Sequence, residues 1–140
     1  MKRKAIRSRL IVLMGQITAF TGKVTDSSPL TVNDTQLPRL NIFMGEEEEL
    51  EQELLFLDDQ TQTFSVDVDL EITANGNPGT NADFVDDSIY QIRNKIREDI
   101  TLSGNAVQAR YFSASQAEPT AEGEKPNTQF TITLKVIYEE

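Results

Sequence analysis

Hydrophobic and polar residues alternate without interruption between Gln62 and Ala74. The apolar positions of this stretch are Phe64, Val66, Val68, Leu70 and Ile72. Because successive side chains of a strand point to opposite faces, the pattern predicts a strand with one buried face and one acidic, solvated face. The buried face must be covered by other parts of the chain.

Two segments have the periodicity of amphipathic helices that can supply this cover. The first is predicted from about Lys2 to Phe20, ends near Gly22, and has inward positions at Ile6, Leu10, Leu13, Ile17 and Phe20. The second starts near Thr80, stops at Ser103-Gly104, and has inward positions at Val85, Ile89, Ile92, Ile96 and Ile100. Thr80 and Asp83 have the spacing of a capping box at its start.

Three further strands are predicted, from Arg39 to Met44, from about Val107 to Ser113 and from Phe130 to Tyr138. The order helix, strand, strand, helix, strand, strand favours an α+β fold. We expect a two-layer sandwich, in which a mostly antiparallel four-stranded sheet carries both helices on one face. With 140 residues, the whole chain (1–140) is expected to form a single domain.

The remaining polar segments, 23–38 and 115–128, are predicted to be loops, with a short extended piece near Leu30 to Val32. The segment that follows Gly45 differs from them because it is strongly acidic. Since like charges repel within a packed element, we predict a mobile loop or a protruding hairpin arm there. An apolar patch follows the acidic run at Leu54 to Leu57.

The acidic and apolar residues of this segment, together with basic residues of the first helix, form a predicted assembly interface. Its members are Arg3, Arg7, Glu46, Glu47, Glu48, Glu49, Glu51, Glu53, Leu54 and Phe56. A basic first turn is unfavourable for the helix dipole, which suggests that these charges serve another purpose than helix stability. The alternative, for both charged segments, is a surface that is simply solvated.

The composition limits the chemistry that the chain can perform. The net charge of −10 disfavours specific binding of nucleic acid, because such binding depends on Lys and Arg that neutralise phosphates. The sequence has no His and no Cys, and the acidic run lacks the spacing of a calcium loop. We therefore expect no catalytic residues, no metal and no cofactor. The longest apolar run, Leu10 to Met14, is too short to span a bilayer, so no membrane partner is expected.

In order and spacing, these features resemble the tail terminator proteins of long-tailed bacteriophages, the family typified by the lambda minor tail protein U. The shared features are a helix that opens with basic residues, Leu37-Pro38 before a strand, Gly45 with acidic residues after it, the alternating strand from Phe64 to Ile72, a helix near Phe84 to Ile100, and a last strand that ends Val136-Ile137-Tyr138-Glu139. They extend over nearly the whole chain.

The resemblance implies a non-enzymatic structural protein of the virion. Such a protein forms a hexameric ring at the head-proximal end of the tail, caps the tail tube, ends its polymerisation and provides the head-joining surface. The implied partners are further copies of the chain, the tail tube protein and a head-completion or connector protein, while DNA passes through without specific binding. Assembly in the host cytoplasm would precede incorporation into the virion. Two alternatives stay open: another head–tail joining or tail-completion protein, and a carboxylate-dependent metal enzyme such as a nuclease or phosphotransferase.

Overall fold

The alternating stretch is the central strand of the sheet. In the computed structural model, which describes residues 1–26, 37–50, 62–120 and 126–140, this strand (β3) is Thr63–Asn75. Its alternate residues Val66, Val68, Leu70 and Ile72 are each 0% exposed, whereas the polar residues between them are half-buried. The predicted register of this strand is confirmed.

The described residues form six strands in one mixed sheet. Besides β3, the strands are β1 (Val24–Asp26), β2 (Arg39–Leu50), β4 (Gln108–Ala114), β5 (Glu118–Thr120) and β6 (Asn127–Glu139). The order is β1-β2-β3-β6-β4, with β5 also paired to β6. β1 runs parallel to β2, and every other pair is antiparallel.

The α+β class is therefore correct and most strand pairs are antiparallel as predicted, but the described sheet has six strands and one parallel pair, and the prediction of four strands was wrong. β1 and β5 have only three residues each, and they lie in segments that were predicted to be loops. A strand of that length contains too few positions for alternation to be recognised among turn-forming residues. The extended piece predicted near Leu30 to Val32 lies outside the described residues.

The first helix, α1, is Lys2–Gly15 and so is shorter than predicted. The chain leaves the α-helical path at Ile17 and continues as a short 3₁₀ helix, Thr18–Phe20. The hydroxyl of Thr21 donates hydrogen bonds to the carbonyl oxygens of Gly15 and Ile17 at the helix end. The predicted inward side chains are nevertheless all buried: Ile6, Leu10, Leu13, Ile17 and Phe20.

The second helix, α2, is Ala82–Glu98. Ile92 and Ile96 are buried as predicted, but Ile100 is 46% exposed because it lies beyond the end of the helix. The predicted capping box is also wrong. Asn81 is the N-terminal cap residue, and its side-chain amide donates to the carbonyl oxygen of Asn75 and to the hydroxyl of Thr128.

Both helices cover the same face of the sheet. One core cluster contains buried side chains of α1 and α2 together with the inward residues of β2, β3 and β6. The two helices also contact each other where Nε of Arg9, in the middle of α1, lies 2.8 Å from Oδ2 of Asp99 at the C-terminal end of α2. In the parts of the chain that the structure describes, no helix is long and apolar enough to cross a membrane.

Candidate assembly surface

The glutamates that follow Gly45 are part of a strand. Glu46–Glu49 belong to β2, and all four are exposed. Glu47, Glu48 and Glu49 lie opposite Val66, Ser65 and Phe64 of β3. The prediction of a mobile loop is thus wrong for these residues, and the alternative of a hairpin arm fits the antiparallel pairing of β2 with β3. Glu51, Glu53, Leu54 and Phe56 of the predicted interface lie outside the described residues.

A bulge at Gly45 determines which face of the sheet each glutamate of β2 lies on. The pairing with β3 shifts register between Met44 and Glu47. A Cβ atom at Gly45 would lie 2.9 Å from the carbonyl oxygen of Asp67, so a side chain does not fit at this position without displacement of the backbone. After the bulge, Glu47 and Glu49 lie opposite residues of the helix-covered face, whereas Glu48 lies opposite a residue of the outer face.

Arg3, in the first turn of α1, binds the backbone at the bulge. Its Nη2 donates hydrogen bonds to the carbonyl oxygens of Met44 at 3.3 Å and Gly45 at 3.0 Å. Its Nη1 lies 3.4 Å from Oε1 of Glu47, an oxygen that also accepts a hydrogen bond from the hydroxyl of Tyr138. The structure therefore brings together two members of the predicted interface, Arg3 and Glu47, and places both in contacts that stabilise the fold.

Other arginines of α1 also have carboxylate partners within the chain. Nε of Arg7 lies 3.3 Å from Oδ2 of Asp26 at the end of β1, and Arg9 pairs with Asp99. Sequence reasoning recognised that the basic charges are unfavourable for the helix dipole, but it could not identify these partners, which are distant in sequence. Whether Arg3 and Arg7 also contact a neighbouring molecule stays a prediction.

The outer face of the sheet carries the carboxylates of β3, each with a partner on β6. Nζ of Lys135 lies 3.9 Å from Oδ1 of Asp67, and the hydroxyl of Thr133 donates to Asp69 at 2.9 Å. The side-chain amide of Gln129 donates to Glu71. Among the described residues, no group of three or more acidic side chains is arranged to hold a metal ion.

Comparison with known proteins gives distant structural similarities. No family model matches the chain, and no curated protein matches it. One solved structure, whose description states no function, has a TM-score of 0.47 and 14% identity, with coverage of 96% of this chain and 92% of that chain. A chain of the virion of a native gene transfer agent particle has a TM-score of 0.40 and 10% identity, with coverage of 99% and 92%. Similarity at this level does not identify a function.

Proposed function

We propose that this chain is a structural protein of a phage virion that forms a ring at the end of the tail tube, ends tube polymerisation and presents a surface for head joining. The contact of Arg3 with the Gly45 bulge and with Glu47 carries the proposal. Two charged features underlie the resemblance to tail terminators, namely the basic first helix and the acidic residues after Gly45. This contact joins them into one surface.

The acidic half of β2 has properties that suit a surface for assembly. Glu46, Glu48 and Glu49 are exposed on a strand that is hydrogen-bonded to β3, so their backbone is already ordered before any partner binds. Binding through ordered groups avoids the entropic cost of fixing a flexible loop. The exposed like charges also repel one another, and a partner of opposite charge relieves that repulsion.

The acidity of the chain suits the passage of DNA through the proposed ring. The net charge of −10 suits a ring through which DNA moves without being bound, because the like-charged phosphates are repelled. The proposed partners are further copies of the chain, the tail tube protein and a head-completion or connector protein. The proposed location is the head-proximal end of the tail, after assembly in the host cytoplasm.

The bonding of the β3 carboxylates favours this proposal over a carboxylate-dependent enzyme. Catalysis with Mg²⁺ requires carboxylate oxygens that converge on the ion. Asp67, Asp69 and Glu71 instead follow one another along a strand, and each one contacts a different side chain of β6. These contacts are typical of cross-strand pairs that stabilise a sheet.

Electron microscopy of tail tubes tests the proposal. Tail tube protein encoded in the same genome is polymerised with and without the purified chain, and the chain is labelled with gold. We expect a narrow distribution of short tubes, with label at one end. Unlabelled ends and an unchanged length distribution would contradict the proposal, and label found only on head connectors would favour the head–tail joining alternative.

A further inference from the structure

The two edges of the sheet differ in charge. At one edge, β1 pairs only with Leu40–Ile42 of β2. Within the described ranges, no strand therefore pairs with residues 43–50 on the side away from β3. This open stretch contains the four glutamates. At the other edge, β4 is the last strand of the order and also has no described strand beyond it. Open strand edges present backbone donors and acceptors to other molecules.

The β4 edge carries cations and exposed apolar side chains. Arg110 is exposed on β4, and the guanidinium of Arg93 from α2 lies 4.7 Å from the ring centroid of Tyr111. No carboxylate of the described residues forms an ion pair with either arginine. Phe112 and Val107 are each 51% exposed. This edge therefore combines positive charge with apolar surface, as protein interfaces commonly do.

We infer that the acidic edge of β2 in one copy of the chain binds the β4 edge of the next copy, with Glu48 and Glu49 facing Arg93 and Arg110. The inference rests on the proposed ring and identifies the surfaces that build it. The two patches lie on opposite edges of one sheet, so each copy can bind one neighbour with each edge. Such a head-to-tail contact is heterologous, and its repetition closes into a ring when the rotation between copies permits.

Electrostatics favours this contact over the two symmetric ones. A contact between two β2 edges would bring together the exposed glutamates of both copies, and a contact between two β4 edges would bring together their arginines. Like charges placed opposite each other are destabilising, whereas complementary charges accelerate association and fix its orientation. The contact should weaken as salt concentration rises, because Glu48, Glu49 and Arg110 are exposed and Arg93 is only half-buried.

Charge reversal on each edge tests the contact. The acidic-edge variant carries Glu48→Lys and Glu49→Lys, and the basic-edge variant carries Arg93→Glu and Arg110→Glu. A control carries Asp86→Lys and Asp87→Lys, which produces the same change in net charge as the acidic-edge variant, at exposed positions of α2. Circular dichroism confirms folding, and light scattering over a concentration series gives the mass of each protein.

We expect the wild-type chain and the control to form the same oligomer, and each edge variant to be monomeric. In an equimolar mixture of the two edge variants, each edge of one variant is complementary in charge to an edge of the other, so the mixture should regain the wild-type mass by alternation of the two chains. A chain with all four edge substitutions should regain the wild-type mass, because its charges are again complementary.

Several results would overturn the edge contact. These are a wild-type chain that stays monomeric throughout the concentration series, an edge variant that keeps the wild-type mass, and a chain with four substitutions that stays monomeric. The proposed function fails by a separate observation, namely that the wild-type chain leaves the length of tail tubes unchanged.

Discussion

Nε of Arg9 in the first helix lies 2.8 Å from Oδ2 of Asp99, the residue that caps the end of the second helix. Both side chains are mostly buried, with exposed fractions of 28% and 18%. Asp99 also accepts a hydrogen bond from the backbone N–H of Ser103. That bond, aided by the Arg9 guanidinium, holds the pKa of Asp99 below its usual value although burial acts in the opposite direction.

The first prediction concerns acid stability. Because the pKa of Asp99 is lower in the folded state than the value of about 3.9 in unfolded chains, its stabilising contribution is present above that pH and is lost as the pH falls through the folded pKa. Asp99→Asn should lower the free energy of unfolding by about 1–3 kcal/mol near neutral pH. It should also reduce the further loss of stability below about pH 4.

Urea denaturation at several pH values measures both effects. Glu98→Gln is the matched control, because Glu98 pairs with Lys95 and its side chain is 66% exposed. Exposed pairs contribute little, so this variant should stay within about 0.5 kcal/mol of the wild type. Equal losses of stability on acidification in Asp99→Asn and the wild type would show that Asp99 does not have the predicted role.

The second prediction concerns the bulge. Gly45→Ala places a Cβ atom 2.9 Å from the carbonyl oxygen of Asp67, so the two strands must separate locally. We expect a loss of about 1–3 kcal/mol in the free energy of unfolding, as is typical of overpacking. Gly15→Ala is the control, since a Cβ atom there has no neighbour within 4 Å, and it should be neutral or stabilising. Comparable losses in both variants would contradict a specific role of the bulge.

The third prediction concerns the contact that orders the acidic strand. Arg3→Ala removes two hydrogen bonds to the backbone of Met44 and Gly45. Amide hydrogen exchange in residues 43–50 should become about five-fold faster, which corresponds to about 1 kcal/mol of local stability. Lys4→Ala is the control on the same turn of α1. If both variants exchange at the wild-type rate, the bulge does not depend on Arg3.

The fourth prediction concerns the core. Val68 is 0% exposed, and Val68→Asp would bury a carboxylate without a partner. We expect the free energy of unfolding to fall by about 3–5 kcal/mol. Val12→Asp provides the control, because Val12 is 52% exposed on α1 and its replacement should cost far less. Similar melting temperatures for the two variants would mean that the register of β3 is wrong.

Periodicity predicted the parts of the fold whose buried positions repeat over several turns or strand pairs. β3 was predicted to within one residue at each end, because its alternation is complete from Phe64 to Ile72. Predictions failed where backbone hydrogen bonding, and not burial, defines an element. The three-residue strands β1 and β5 are examples, and so is the end of α2 at Glu98, which leaves Ile100 exposed.

The prediction of a mobile loop was wrong for Glu46–Glu49 because charge was considered without geometry. In a strand, adjacent side chains point to opposite faces, so consecutive glutamates are farther apart than in a helix or compact loop. Arg3 and Tyr138 also bind Glu47, from positions 44 and 91 residues away in the sequence. No local pattern contains that information. The sequence therefore singled out the acidic run and the basic helix as a candidate surface, but it did not predict the contacts between them.

The length of tail tubes formed with a serine variant of the acidic edge tests whether the exposed glutamates of β2 act in tail termination. The variant carries Glu46→Ser, Glu48→Ser and Glu49→Ser and retains Glu47, because Glu47 binds Arg3 and Tyr138 within the fold. Its free energy of unfolding should stay within about 0.5 kcal/mol of the wild type. Electron microscopy should then show tubes of uncontrolled length with the serine variant. The wild type should give tubes of uniform length, and so should a control that carries Asp86→Ser and Asp87→Ser. Tubes of uniform length with the serine variant would contradict a role of these glutamates in tail termination and leave them as a solvated surface.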